Sequence, residues 1–272
     1  MQIRWMFRVV AALFVVLALA ACSKEQKSGS DNAPLKVGAS PVPHADILRF
    51  VQDNLAAKEG LKLEIVEFTD YVQPNIALND HQIDANFFQH VPYMVDFGKQ
   101  RGIAMSAVAK VHIEPLGIYS KKVKALGDAP KGSIIAIPND ATNAGRALRL
   151  LANNGLLTLK DGAGVSATVQ DITTNPKEFQ IKELEAAQLP RSLDDVSLAV
   201  INGNYAIQVG LKPAHDALAL EKGENNPYAN VLSVLKGNEG DVRVQKLAKL
   251  LTSPEVKEFI NKKYDGAVIA AF

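Results

Sequence analysis

One stretch of the chain combines residue types that could hold an anion. Residues 133–138, Ser-Ile-Ile-Ala-Ile-Pro, read as a buried strand. Asn139-Asp140-Ala141-Thr142-Asn143-Ala144-Gly145-Arg146 follow as a polar loop running into a leucine-rich helix. Free backbone N–H groups at such a helix start, together with the helix dipole, attract negative charge. Arg146, expected within the first turn, adds a planar fork suited to a carboxylate. The same residues also fit a plainer role, with Asn and Asp as helix caps and Arg146 as a solvated side chain. The pattern alone leaves both open. A second concentration lies in the first half of the chain: Phe68, Tyr71, Phe87, Phe88, His90, Tyr93 and Phe97. Phenylalanine is most often core, whereas Tyr and His bring polar tips to an apolar wall. Asn202 follows an apolar stretch and Asn230 opens another. Both stand where a cleft between two lobes would find them, although loop asparagines are usually turn residues.

Other chemistries lack their residues. There is no Gly-x-Ser-x-Gly elbow for a serine nucleophile. Gly162-Ala163-Gly164-Val165-Ser166-Ala167 has the outline of a dinucleotide turn but follows Lys160-Asp161 instead of an apolar strand. Residues 127–133 have phosphate-loop spacing without the motif's lysine, and they precede a strand. His44, His81, His90, His112 and His215 are scattered with no His-x-x-x-His pair, so a zinc site would have to be assembled from distant segments. The reading is therefore of a protein that is not an enzyme and has no cofactor or metal. With 30 basic against 29 acidic residues, there is no basic excess of the kind nucleic-acid binding needs.

The elements that must position these residues alternate between strand and helix. Apolar spacing predicts strands over 35–39, 61–68, 83–88, 105–111 and 116–120, with helices over 45–57, 71–78 and 92–101. After Pro130 the pattern resumes. Strands are expected over 133–138, 179–184, 198–201 and 230–235. Helices are expected over 143–153, 192–195 and 241–251, and a last one is opened by Ser253-Pro254-Glu255 and stopped near Gly266. This is an α/β chain with parallel-type sheets covered on both faces. Two runs of the alternation imply two lobes, residues 35–118 with 232–272 and residues 119–231, with a ligand cleft between them.

The first residues stand apart. Arg4 and Arg8 precede an uncharged apolar run, which ends in Leu19-Ala20-Ala21-Cys22. Charged start, short apolar middle and small-residue exit make a secretory signal peptide over residues 1–22. The run of 13 residues from Val9 to Ala21 is short of the roughly 20 needed to span a bilayer. Cys22 is the only cysteine, which excludes a disulfide within one chain. Leu-Ala-Ala-Cys is similar to the bacterial lipobox, making Cys22 the lipidation site and anchoring the chain to a membrane through acyl chains. Loss of Arg4 and Arg8 takes the basic count from 30 to 28 against 29 acidic residues, and the only tryptophan, Trp5, leaves as well. Residues 23–34, polar and small, read as a flexible tether.

Several stretches, taken together, resemble one family. They are Asp70-Tyr71-Val72-Gln73-Pro74-Asn75, Phe87-Phe88-Gln89-His90 with Pro92-Tyr93, and Glu114-Pro115-Leu116-Gly117-Ile118-Tyr119-Ser120. Further on come Pro138-Asn139-Asp140 through Arg146, Gln188-Leu189-Pro190-Arg191-Ser192-Leu193-Asp194-Asp195, and Asn226-Pro227-Tyr228-Ala229-Asn230. In this order, from about residue 35 to the end, they are similar to the NlpA-type lipoproteins. Ala141 departs from the proline that many relatives carry before the helix. The resemblance implies a two-lobed periplasmic-binding-protein-like fold of type II. It implies methionine as ligand, delivered by a monomer to the permease of an ABC importer with its ATPase. By motif position it implies a pocket of Tyr71, Phe88, His90, Tyr93, His112, Asn143, Arg146, Asn202 and Asn230. In that pocket Arg146 and the loop amides would take the carboxylate, and the carbonyls of Asn202 and Asn230 the ammonium. Tyr71, Phe88, Tyr93 and His112 would wall the side chain, because a thioether packs well on aromatic rings. With Arg146 on a polar helix start, its loss should spare the ligand-free fold. A methionine-containing dipeptide, another apolar amino acid, or a surface adhesin or structural role stay open on the residues alone.

Overall fold

The computed structural model describes residues 33–224 and 226–272. The signal segment, Cys22 and nearly all of the tether lie outside the described residues. Among the described residues, no helix is long and apolar enough to cross a membrane.

The folded part begins with β1 (Leu35–Ala39), whose Leu35, Val37 and Ala39 are fully buried. α1 (Asp46–Asn54) follows an irregular turn and lays Ile47, Leu48 and Val51 on one stripe against the sheet. Full burial of one such side chain stabilises by about 1.5–3 kcal/mol. β2 (Leu63–Glu67), α2 (Gln73–Asn79) and β3 (Ala85–His90) come next, and β1 pairs in parallel with both β2 and β3. Every residue of β3 is buried, as expected of a strand covered on both faces. α3 (Val91–Arg101) carries Pro92 in its first turn and ends at Gly102, whose φ of 70° suits glycine. β4 (Met105–Ile113) completes this stretch.

The chain then crosses to a second sheet. It contains β5 (Gly117–Tyr119) and β6 (Ile134–Pro138), with α4 (Ala141–Asn153) packed on it. α4 buries Ala144, Ala147, Leu148 and Leu151. A Cβ on its Gly145 would stand 2.4 Å from the carbonyl oxygen of Val165, so only glycine lets that loop lie against the helix. The pair β7 (Thr158–Leu159) and β8 (Ile172–Thr174) forms a small hairpin-like sheet of its own. β9 (Gln180–Leu184), α5 (Leu189–Ser192), β10 (Leu198–Ile201), α6 (Gly203–Gln208), α7 (Pro213–Asp216) and β11 (Ala219–Leu220) finish this half. The strand order is β11-β5-β10-β6-β9.

A second crossing returns the chain to the first sheet. β12 (Asn230–Leu235) inserts between β3 and β4, antiparallel to both. α8 (Val242–Leu251) and α9 (Pro254–Tyr264) cover the sheet, and Ser253 caps α9 through Val256 N at 3.4 Å. α9 stops at Asp265 and Gly266, both at positive φ. β13 (Ile269–Ala270) then flanks β4, giving the order β13-β4-β12-β3-β1-β2.

Both sheets are therefore mixed, a correction to the parallel-type sheets expected from the alternation. The reversal has a topological cause. A strand entering from the other lobe, such as β12, or a short return such as β5 and β11, runs against its neighbours. The helix expected over 192–195 lies earlier, at Leu189–Ser192, with Pro190 in its first turn.

Candidate functional site

Between the two sheets, the loops after β3, β6 and β10 and both crossings converge on a cavity. It is small, with about 340 Å³ of non-atom space, part of it open to solvent. Tyr71, Phe88, Gln89, His90, Tyr93, Glu114, Asn143, Arg146, Asn202, Gly203, Asn204 and Asn230 line it. Eight of the nine residues implied by the resemblance are thus brought together. The ninth, His112, is not on the wall. It is fully buried behind Glu114, to which its Nε2 bonds at 2.8 Å.

One side of the cavity is aromatic. Tyr71 lies 6.1 Å from Phe88, 5.8 Å from Tyr93 and 5.0 Å from Tyr205, centroid to centroid. The Tyr93 hydroxyl donates to the carbonyl of Tyr71 at 2.7 Å, which fixes the segment before α2 against α3. Behind this wall, Asn75, Asn86, Gln89 and Ser233 form a buried, mutually bonded amide and hydroxyl network. Its members include Asn75 Nδ2 to Gln89 Oε1 at 2.9 Å and Gln89 Nε2 to Ser233 Oγ at 3.1 Å. A satisfied network of this kind sets side-chain orientation sharply.

The polar side is built from both lobes. His90 caps α3: its Nδ1 accepts from Tyr93 N–H at 3.1 Å, so its Nε2 carries the proton and donates to Asn143 Oδ1 at 3.2 Å. Asn143 Oδ1 also accepts from Asn202 Nδ2 at 3.0 Å. Tyr71 donates to Asn204 Oδ1 at 2.5 Å across the same gap. Burial, followed by the charge of Arg146, lowers the His90 pKa to about 3. Two polar atoms then stand out. Asn202 Oδ1, an acceptor, and Asn204 Nδ2, a donor, are buried without a protein partner. Both belong to residues on the cavity wall, and such groups are costly unless something bonds them.

The anion site differs from the one the sequence suggested. The start of α4 is occupied by the chain's own carboxylate, because Asp140 accepts from Asn143 N–H at 2.9 Å and from Thr142 Oγ1 at 3.0 Å. The loop amides are therefore not the open anion site. Arg146 lies in the second turn and is only 4% exposed, which removes the reading of a solvated side chain. Its Nε donates to both oxygens of Glu221, and its Nη2 donates to Glu221 and to the carbonyl of Glu114. The ring of Tyr228 stacks 4.3 Å from the guanidinium carbon.

A second ionisable group adjoins Arg146. Glu114 is 5% exposed, and burial raises its carboxyl pKa. Oε1 accepts from His112 and, at 3.2 Å, from His44, whose Nε2 also meets Asn230 Oδ1 at 3.1 Å. Burial lowers the pKa of His44 to about 4 and of His112 to about 3, so both imidazoles are neutral donors. A Cβ on Gly203 would stand 2.8 Å from the Cβ of Glu114, so glycine is needed for this approach. His44, His112 and Glu114 are the distant segments from which a metal site would have to be assembled, and their ligand atoms lie within 4.8 Å of one another. Neither Nδ1 has the acceptor that orients a metal-ligating imidazole. The donor set therefore fits a hydrogen-bonded carboxylate better than a cation site.

Sequence reasoning missed Gln89, Glu114, Gly203 and Asn204. A weak signal existed for three of them: for Glu114, a glutamate before proline between two apolar stretches, and for Gly203 and Asn204, Asn-Gly-Asn directly after a fully apolar strand.

Two α/β lobes around a small cavity that holds a guanidinium, a carboxyl group and an aromatic wall define a substrate-binding protein. Comparison with known proteins agrees. Residues 35–272 match the NlpA lipoprotein family, and the chain belongs to it. This is a family of substrate-binding lipoproteins of the bacterial cell envelope, membrane-anchored and not enzymatic. The chain is 43% identical to the D-methionine-binding lipoprotein MetQ of Escherichia coli over 265 residues, covering 97% of this chain and 96% of that one. Among solved structures it is similar to a nutrient binding protein from Burkholderia cenocepacia bound to methionine, with TM-score 0.84 and 48% identity over 88% of this chain and 100% of the other. It is also similar to an ABC transporter periplasmic substrate-binding protein from Coxiella burnetii, with TM-score 0.83 and 41% identity over 87% and 100% of the two chains.

Proposed function

We propose that the chain captures methionine in this cavity and, as a monomer, presents it to the membrane permease of an ABC importer with its ATPase. The observation that carries the reading is the pair of unpartnered buried atoms, Asn202 Oδ1 and Asn204 Nδ2, on residues that line the same cavity as Glu114 and Arg146. A cavity with an open acceptor and a carboxyl group suits an ammonium, and its open donor and guanidinium suit a carboxylate. A free amino acid carries both within one small group. Asn230, held by His44, assists at the ammonium, while His90 and Asn143 hold the polar side in register. Tyr71, Phe88 and Tyr93 take the thioether side chain, because polarizable sulfur packs well on aromatic rings. His112 acts only through Glu114.

Lobe boundaries at 118/119 and 231/232 belong to the same reading. What supports them is that the chain leaves the first sheet after Ile113, joins the second at Gly117, and re-enters the first at Asn230. Closure of the lobes would remove the ligand from water and give the permease a surface that depends on occupancy.

The test has two arms. Protein purified without added amino acids is denatured, and the released small molecules are identified by mass spectrometry. Ligand-stripped protein is then titrated calorimetrically with methionine, leucine and glutamate. Methionine should be the released molecule and the tightest binder. Equal heats for methionine and glutamate would remove the proposed pocket, since an apolar wall rejects an unpaired charge.

A further inference from the structure

Arg146 belongs to the cavity and to both crossings at once. The first crossing contains Glu114 and Leu116, and the second contains Glu221 and Tyr228. The Arg146 Nε donates to Glu221 Oε1 at 3.0 Å and to Oε2 at 3.1 Å, and Nη2 donates to Glu114 O at 2.9 Å. Glu221 in turn bonds the first crossing. Its N–H donates to Leu116 O at 2.8 Å, and its Oε2 accepts from Leu116 N–H at 3.3 Å. The pair is well screened from water, with side-chain exposures of 4% for Arg146 and 18% for Glu221. A guanidinium has five N–H donors in a rigid plane. Glu221 takes the Nε edge and part of Nη2, and Glu114 O takes the rest of Nη2. Among the described residues, no protein acceptor bonds Nη1.

We propose that Glu221 is a positioning residue for ligand recognition: it clamps the guanidinium by its Nε edge, so that Nη1 is presented to the ligand carboxylate and that contact is tied to both crossings between the lobes. The inference rests on the reading of the cavity as an amino-acid site. It assigns Glu221 a function although it does not line the cavity. Without this carboxylate, Arg146 regains rotational freedom about its long side chain, and the ligand must order it on binding. The second crossing also loses its charged link to the first.

The test compares two ligands that differ only at the carboxyl group, L-methionine and L-methioninamide. Affinities are measured by calorimetry on the ligand-stripped full chain. Glu221→Gln should weaken methionine binding roughly tenfold to a hundredfold, the range for a hydrogen bond to a charged group. Methioninamide, which presents no carboxylate to Arg146, should stay within about twofold of its wild-type affinity. A purely structural defect would weaken both ligands alike. Equal losses, or unchanged methionine affinity, would overturn the proposal. If the glutamine variant does not fold, Glu221→Asp keeps the charge at shorter reach and is put through the same comparison. The Arg146→Lys background supplies a second readout, since lysine has no fork to be oriented. Adding Glu221→Gln there should cost little further methionine affinity, and fully additive losses would refute the coupling. Wild-type protein that binds no methionine would instead remove the amino-acid reading itself.

Discussion

Replacing Arg146 with alanine should damage the ligand-free protein as well as ligand binding, contrary to the expectation that its loss spares the fold. The substitution leaves Glu221 without its counter-charge, takes a donor from the carbonyl of Glu114, and uncovers the face of Tyr228. Removing one partner of a buried ion pair costs about 3–5 kcal/mol. The Glu221 side chain retains 18% exposure, so water recovers part of the loss, and about 2–3 kcal/mol is the better figure. At about 2–4 °C per kcal/mol for a domain of this size, Tm should fall by about 4–12 °C. Ligand binding suffers separately, because a methionine carboxylate desolvated beside no cation loses about 3–5 kcal/mol, roughly two to four orders of magnitude in affinity. The assay is circular-dichroism melting of the ligand-stripped wild type and variant, with calorimetric methionine titrations well below both transitions. Arg146→Lys should recover part of the affinity only, since the ammonium is a point charge without a planar fork. Near-wild-type affinity in Arg146→Ala would refute the assignment of the carboxylate site, and an unchanged Tm would refute the stability argument built on Glu221.

Asn204 is 2% exposed with an unpartnered donor, so Asn204→Ala should weaken methionine binding by roughly 1.5–3 kcal/mol. Asn204→Asp should cost more, because it sets a carboxylate against the ligand's own. An aspartate variant that binds as well as the alanine variant would exclude this donor from the site. His90 is held neutral, its pKa lowered from 6.5 to about 3. The stability this contributes is full above pH 6.5 and is lost as pH falls towards about 3. Urea unfolding should therefore show the gap between wild type and His90→Gln narrowing across that window, and a gap that stays constant counts against the locked tautomer. Cys22→Ala should release the chain from the membrane fraction without altering its Tm. Mass measurement of the same fractions separates true lipidation from an uncleaved leader, and a lipid-modified variant would remove Cys22 as the anchor.

How much of this was legible in the sequence depended on how local the signal was. The strand pattern of Leu198–Ile201 and Asn230–Leu235 was readable to the residue, because a short, mostly apolar run between polar breaks encodes a buried strand without outside help. Ser253-Pro254 likewise marked the start of α9. Strands of two residues, β11 and β13, and the six-residue helix α6, which makes fewer than two turns, carry too few positions to show their period. Arg146 shows the deeper limit. Its type and place beside a polar loop were visible, but its burial follows from Glu221, 75 positions away, and no spacing rule links the two. Glu114 was hidden for a similar reason. Nothing near it in the sequence announces that His44 will share its oxygen with His112. The family resemblance supplied what local patterns could not, gathering residues from both lobes. It also put His112 on the wall instead of behind it.

The tyrosines that wall the cavity have an optical consequence. A chain that begins at Cys22 has no tryptophan, and its six tyrosines are then the only strong near-ultraviolet emitters. Tyr71 and Tyr93 line the cavity, Tyr205 stacks on Tyr71, and Tyr228 lies under Arg146. Only Tyr119 and Tyr264 stand away from it, in the packing of the two lobes. With no indole to drain their excitation, four of the six emitting rings line the cavity or pack against a residue that does. A chain without Trp5 thus carries a label-free set of fluorophores concentrated around the proposed ligand cavity, and its tyrosine emission offers a direct readout of occupancy.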